Sequence, residues 1–246
     1  MHRRQAWPTS GHGTRLRGVH FVPHWRDLEI LSNAEARALQ EALAGRVIQQ
    51  GLSKPVTTVA GVDVAMDKNT AWAAVAVLDF PGLKLREWAG AVRPLTFPYV
   101  PGLLTFREGP VILGAVAKLN TMPDLFIFDG QGRAHPRRLG IASHMGLLLD
   151  KPSIGCAKSR LCGFYEEPGP ERGSYAVLED HGEIIGAVVR TRSGVKPVFV
   201  SVGHRIDLQA SIEFVLACCK KYRLPETTRW AHRLAGEAKG RARDGA

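Results

Sequence analysis

The chain has 246 residues, 45% of them hydrophobic, enough to bury one large core or two smaller ones, and a single domain with ragged ends is the simpler reading. Lys and Arg number 33 against 23 acids, a net charge of +10 that favours approach to a polyanion such as DNA or RNA. No apolar stretch nears the roughly 20 residues that span a bilayer, and the opening MHRRQAWPTSGHGTR has no signal-peptide hydrophobic region, so no membrane partner is expected and the protein should remain in the compartment where it is made, the cytoplasm. Cys156, Cys162, Cys218 and Cys219 form no CxxC pair or finger spacing, which points to buried reduced thiols rather than disulfides or zinc.

Residues 1–25 are rich in Arg, His, Gly and Pro without apolar periodicity and are expected to be a flexible basic extension. A single domain is expected over 26–239, followed by a flexible basic tail at 240–246. From a Ser-Asn cap at Ser32 a helix is predicted to Gln50, with Ala36, Leu39, Leu43 and Val47 on one face. Three strand-like runs follow, VTTVAGVDVA, TAWAAVAVLDF and LKLREWAGAVR, and their short turns favour an antiparallel meander.

Next come a helix from about Phe106 to Leu119, a strand DLFIFD, a helix over 138–149 and a strand PSIGCAK, an alternation that reads as parallel pairing. A hairpin turns at His181-Gly182, then PVFVSV leads to helices at about 207–222 and 226–239.

Asp63 interrupts the apolar run VAGVDVA, where a bare carboxylate is costly to bury without a partner. Asp129 repeats this at the end of DLFIFD, just before Gly130-Gln131-Gly132, and Glu108 lies near the start of the helix after the meander. Carboxylates at strand ends can converge at one edge of a parallel sheet. Such acids hold a divalent cation, or they are ordinary turn and salt-bridge residues. Their order, with acids on strand one, helix one and strand four, is the arrangement of a ribonuclease H-like fold. This is an α/β architecture whose mixed central sheet joins a three-strand antiparallel meander to parallel strands, with flanking helices.

The densest stretches are PYVPGLLTFREGP (98–110) and DGQGRAHPRRLGIASHMG (129–146). Together with AGVDVA around Asp63 and GCAKSRLCG around Lys158, they strongly resemble the endonuclease V family over about residues 30–235. The resemblance implies a Mg²⁺-dependent repair endonuclease, with Mn²⁺ able to substitute. It implies recognition of hypoxanthine and other deaminated bases, and hydrolysis of the second phosphodiester on the 3′ side. DNA is the implied partner, with RNA left open, and a monomer is expected.

It places Asp63, Glu108 and Asp129 in the metal-binding cluster, the two aspartates as direct ligands and Glu108 through water. Lys158 and His232 join them as catalytic residues, the lysine contacting phosphate or orienting water. Tyr99, within Pro98, Val100, Pro101 and Gly102, corresponds to a wedge that fills the gap left by a displaced base, a role suited to a stiff loop tip with an aromatic face. Without the resemblance, a tyrosine packed in an ordinary Pro-Gly turn is the preferred reading. Gly130, Gln131 and Gly132 would bring backbone close to a base edge or phosphate. His135, Arg137, Leu139, Gly140, Ile141 and Ala142 would line the site of the displaced base, with Arg137 and Arg138 open to phosphate contact or a solvated helix start. His144 reads as packing or hydrogen bonding, and the run Cys218–Arg223 either follows the nucleic-acid backbone or is a solvated face. Two other readings stand beside this one: a ribonuclease H-like nuclease of another specificity, and a binder of lesions without turnover.

Overall fold

Eight strands form one mixed sheet in the computed structural model, which describes residues 31–244. The expected extension 1–25 lies outside the described residues. β1 (Thr58–Met66), β2 (Thr70–Asp79) and β3 (Leu85–Pro94) make the expected antiparallel meander. The first turn is closed by the Asp67 carboxylate, which accepts from the amides of Asn69 and Thr70.

β4 (Leu125–Phe128) pairs parallel with β1, and β5 (Ser153–Ala157) parallel with β4. Their crossovers carry α2 (Leu104–Val116) and α3 (Ile141–Leu149). The hairpin of β6 (Tyr175–Asp180) and β7 (Glu183–Val189) joins through β8 (Val198–His204), which runs antiparallel to β5. The sheet order is β3-β2-β1-β4-β5-β8-β7-β6, an α/β ribonuclease H-like arrangement as expected.

Period-two alternation divides the core between the two faces of this sheet. Ala60, Val62, Phe126 and Phe128 pack with α2, α3 and α1 (Asn33–Ala44). Val59, Leu125 and Ile127 pack on the other face, with α4 (Leu208–Cys218) and α5 (Glu226–Asp244). β4 is buried along its whole length, which is why its four residues are all apolar.

Helix ends depart from the sequence expectations where tertiary bonds compete. α1 starts as predicted, with a Ser32–Glu35 capping box, but it ends at Ala44 rather than Gln50. Beyond it Ile48 is drawn to the far end of β8, where its amide donates to His204 Nδ1 and its carbonyl accepts from the Arg205 amide. α4 stops at Cys218, short of the expected 222, because the following turn feeds Arg223 inward. α5 continues through Asp244, so residues 240–244 of the expected flexible tail are helical. An Arg241–Glu237 pair one turn apart supports this extension. Cys156, Cys218 and Cys219 are buried and Cys162 is half-buried. Among the described residues no helix is long and apolar enough to cross a membrane.

Candidate catalytic site

Asp63 sits in the second half of β1 and is joined to α5: His232 Nδ1 lies 2.8 Å from its Oδ2. The helix can come this close because Gly61, two residues earlier, carries no side chain. A β-carbon there would lie 2.1 Å from the carbonyl carbon and oxygen of Thr227, in the first turn of α5. Asp129 follows the last residue of β4, and its carboxylate is paired with the ammonium of Lys158, the residue after β5. Adjacent parallel strands thus deliver an acid and a base to the same sheet edge.

Glu108 stands on the second turn of α2 and makes no hydrogen bond or ion pair with the described residues. Burial pushes its carboxyl up to about 8, with the negative charges of Asp63 and Asp129 adding to the effect. Burial likewise raises the Asp63 carboxyl, opposed by its bond to His232. The three acids therefore sit within electrostatic reach of one another. They are not preassembled as a ligand cage, since no group of three or more His, Cys, Asp or Glu among the described residues is arranged to hold a metal. Two of the three are instead bonded to cationic or titratable partners, Lys158 and His232.

The loop of Pro98, Tyr99, Val100, Pro101 and Gly102 connects β3 to α2 and projects Tyr99 into solvent, 69% exposed. Its base is firm: Phe97 is buried against Phe106, and the Phe97 carbonyl accepts from Arg107 Nη1 at 2.6 Å. Gly102 closes the loop at φ +80°, where a side chain would also meet Arg137 Nη2 and His135 Nε2.

The segment Gly130–Ala142 is strapped down over β5 and β8. The Gly130 amide donates to the Phe128 carbonyl, and the Gly132 amide to Ser201 Oγ. Gln131 and Gly132 carbonyls accept from the Ala142 and Gly140 amides at the head of α3. Both glycine amides expected to face substrate are thus bonded internally. Gln131 Nε2 donates to the Ser159 carbonyl, while its buried Oε1 has no partner among the described residues.

His135 is 2% exposed and neutral, its pKa lowered to about 4 chiefly by burial. Its Nδ1 accepts from the Arg137 amide, so Nε2 carries the proton given to the Gly102 carbonyl at 2.9 Å. Leu139, Gly140, Ile141 and Ala142 are all buried.

Of the paired arginines, Arg138 is engaged by the β6–β7 turn through Asp180 and Glu183. Arg137 donates from Nε to Gln40 Oε1 and from Nη2 to the Gly102 carbonyl. His144 is fully buried edge-on to Phe106, with neither ring nitrogen bonded among the described residues, which makes it a packing residue. In the run 218–223, Arg223 turns inward and donates from Nη2 to the carbonyls of Lys158 and Pro197, each at 2.7 Å.

Three supporting residues escape a motif reading. Arg107 acts on a backbone carbonyl of the loop leading into its own helix and Arg223 on those of Lys158 and Pro197, which no spacing reveals. Gln40 had a signal: it occupies the buried face of α1 between Ala36 and Leu43, where the helical period asks for an apolar side chain.

Comparison with known proteins gives the same picture over most of the chain. The Endonuclease V family profile matches residues 41–233. Endonuclease V of Roseiflexus sp. (strain RS-1) is 54% identical over 208 residues, covering 85% of this chain and 94% of that protein. The crystal structure of Endonuclease V from Streptomyces avermitilis superposes with a TM-score of 0.82 at 48% identity, covering 86% of this chain and 94% of its own. Endonuclease V of Ciona intestinalis, in complex with a 24mer DNA containing an inosine followed by a ribo-adenosine, matches with a TM-score of 0.73 at 28% identity, over 85% of this chain and 98% of its own. With Asp63 and Asp129 brought together by neighbouring strands and a family match spanning most of the domain, the chain belongs to the endonuclease V family.

Proposed function

We propose that this protein is a divalent-metal-dependent endonuclease that incises DNA at deaminated bases, hypoxanthine above all, hydrolysing the second phosphodiester on the 3′ side. The observation that carries the reading is that Asp63, bonded to His232, and Asp129, paired with Lys158, come from the neighbouring parallel strands β1 and β4, with Glu108 on α2 near enough to feel both charges. Hard oxygen donors, one of them raised to about 8 chiefly by burial and further by its two acidic neighbours, fit a cation such as Mg²⁺, with Mn²⁺ as substitute.

Asp63 and Asp129 would hold the ion directly and Glu108 through water. When bound, the ion supplies Lewis acidity and charge screening at the scissile phosphate. The Lys158 ammonium then contacts the phosphate or orients the attacking water. His232, 74% exposed, holds the Asp63 carboxylate through Nδ1 and would fix its orientation at the site. Tyr99 takes the stacking position of the displaced base, and the Gly130–Ala142 segment, with His135 and Arg137, receives that base.

Incision of matched inosine-containing and unmodified strands, each with Mg²⁺, with Mn²⁺ and with EDTA, tests this. Cutting confined to inosine strands with metal is expected; an inert wild type overturns it, and binding without incision would favour a non-catalytic lesion binder. The strand bound by the Ciona protein carries a ribo-adenosine after the inosine, so a matching RNA arm belongs in the same assay. We read the protein as a cytoplasmic monomer, the oligomeric state being checked by sedimentation.

A further inference from the structure

Gln40 is 1% exposed and makes full use of its amide. Nε2 donates to the Gly102 carbonyl at 2.9 Å and to the Leu139 carbonyl at 3.0 Å. Oε1 accepts from Arg137 Nε at 2.7 Å. One side chain from α1 thereby bridges the closing residue of the Tyr99 loop and the segment that runs into α3. Arg137 completes a ring, because its Nη2 reaches the same Gly102 carbonyl at 3.0 Å, beside His135 Nε2 at 2.9 Å. A carbonyl with two lone pairs thus serves three donors, all buried or half-buried, and the loop closes on a point with little freedom to shift.

α1 contributes nothing to the acid cluster, so this knot lies outside the metal chemistry. We propose that Gln40 is a positioning residue that locks the Tyr99 loop to the Gly130–Ala142 segment, so that the inserted ring and the surface receiving the displaced base keep one fixed spacing. The proposal rests on the lesion-reading role given to Tyr99 above. Without Gln40 the Leu139 carbonyl and Arg137 Nε lose partners at a buried site, and the Gly102 carbonyl retains only the His135 and Arg137 bonds.

The test uses Gln40→Met, which keeps volume without polar atoms, and Gln40→Glu, which keeps the acceptor for Arg137 and removes both donations, so that one variant remains if the other fails to fold. Hydrogen exchange of the free protein should show faster exchange across residues 97–103, with β1 and β2 unchanged. Selectivity for inosine over unmodified strands should fall on the order of tenfold, the scale of leaving buried carbonyls short of a donor, while the Mg²⁺ titration midpoint stays where it was. In a Tyr99→Ala background the Gln40 substitutions should cost nothing more. Unchanged loop exchange, or losses that multiply in the double variant, would overturn the proposal. An inert wild type would instead sink the functional reading, and loop exchange would then decide the lock by itself.

Discussion

Asp63 on β1 and His232 on α5 lie 169 residues apart in the chain and meet with Oδ2 and Nδ1 2.8 Å apart. The meeting depends on a bare patch of strand. Gly61 allows the first turn of α5 to rest against β1, and from Thr227 the helix needs little more than one turn to bring His232 over Asp63.

Gly61→Ala should therefore separate the two. The added methyl would sit 2.1 Å from the Thr227 carbonyl, and backbone cannot give way cheaply. Overpacking of this kind costs roughly 1–3 kcal/mol. Denaturant unfolding should show that loss, together with reduced incision; unchanged stability and activity would mean that α5 adapts without cost.

Asp63→Ala and Asp129→Ala should each abolish cutting while strand binding persists, as measured by gel shift beside incision. The same substitutions should lower the Glu108 pKa, since each removes a negative neighbour that helps raise it. In the metal-free wild type, Glu108 binds its proton more tightly folded than unfolded, so its contribution to stability is present below about 4.5 and is lost as pH rises towards about 8. Buried His135 and His144, both lowered to about 4, act in the opposite sense, but only below their ordinary 6.5. Stability measured in EDTA should thus decline between about pH 6.5 and 8, and Asp63→Ala should flatten that slope. A wild-type profile that is flat over this range would contradict the assignment.

Tyr99→Ala should weaken selectivity for the modified base and leave metal dependence intact. Stacking on an aromatic is worth about 1–3 kcal/mol, so a loss of roughly tenfold is expected, with Tyr99→Phe close to wild type. Equal selectivity in the alanine variant would count against the wedge.

Arg223→Ala should damage the site from behind. It releases the Lys158 and Pro197 carbonyls, at a cost of roughly 2 kcal/mol in stability, and lets the residue that pairs with Asp129 drift. Incision should fall more in kcat than in KM, which single-turnover kinetics would read. Arg223→Lys should restore part of the loss, because both bonds come from one nitrogen and an ammonium carries three donors, although on a differently shaped stem.

Much of the frame is legible from residue order. The alternating apolar runs of β1, β2 and β3 and their short turns specify an antiparallel meander, and the Ser32–Glu35 box marks where α1 begins. Endings are harder, because α1 and α4 stop where Ile48 and Arg223 are claimed by partners in β8 and beyond β5. Arg137 illustrates the same limit within the site: its sequence neighbours suggest a phosphate contact, yet its donors reach Gln40 and Gly102.

What the amino-acid order determined by itself was periodicity and chemical type: which stretches become strands, where buried acids interrupt them, and which motifs mark the family. Which of those groups touch was decided only by the packing of helices on both faces of the sheet. Local propensity acts over a few residues, whereas the contacts of Asp63 with His232, Asp129 with Lys158 and Gln40 with Gly102 span 169, 29 and 62 residues. Distances of that kind are set by close packing of whole elements, down to a single missing β-carbon at Gly61.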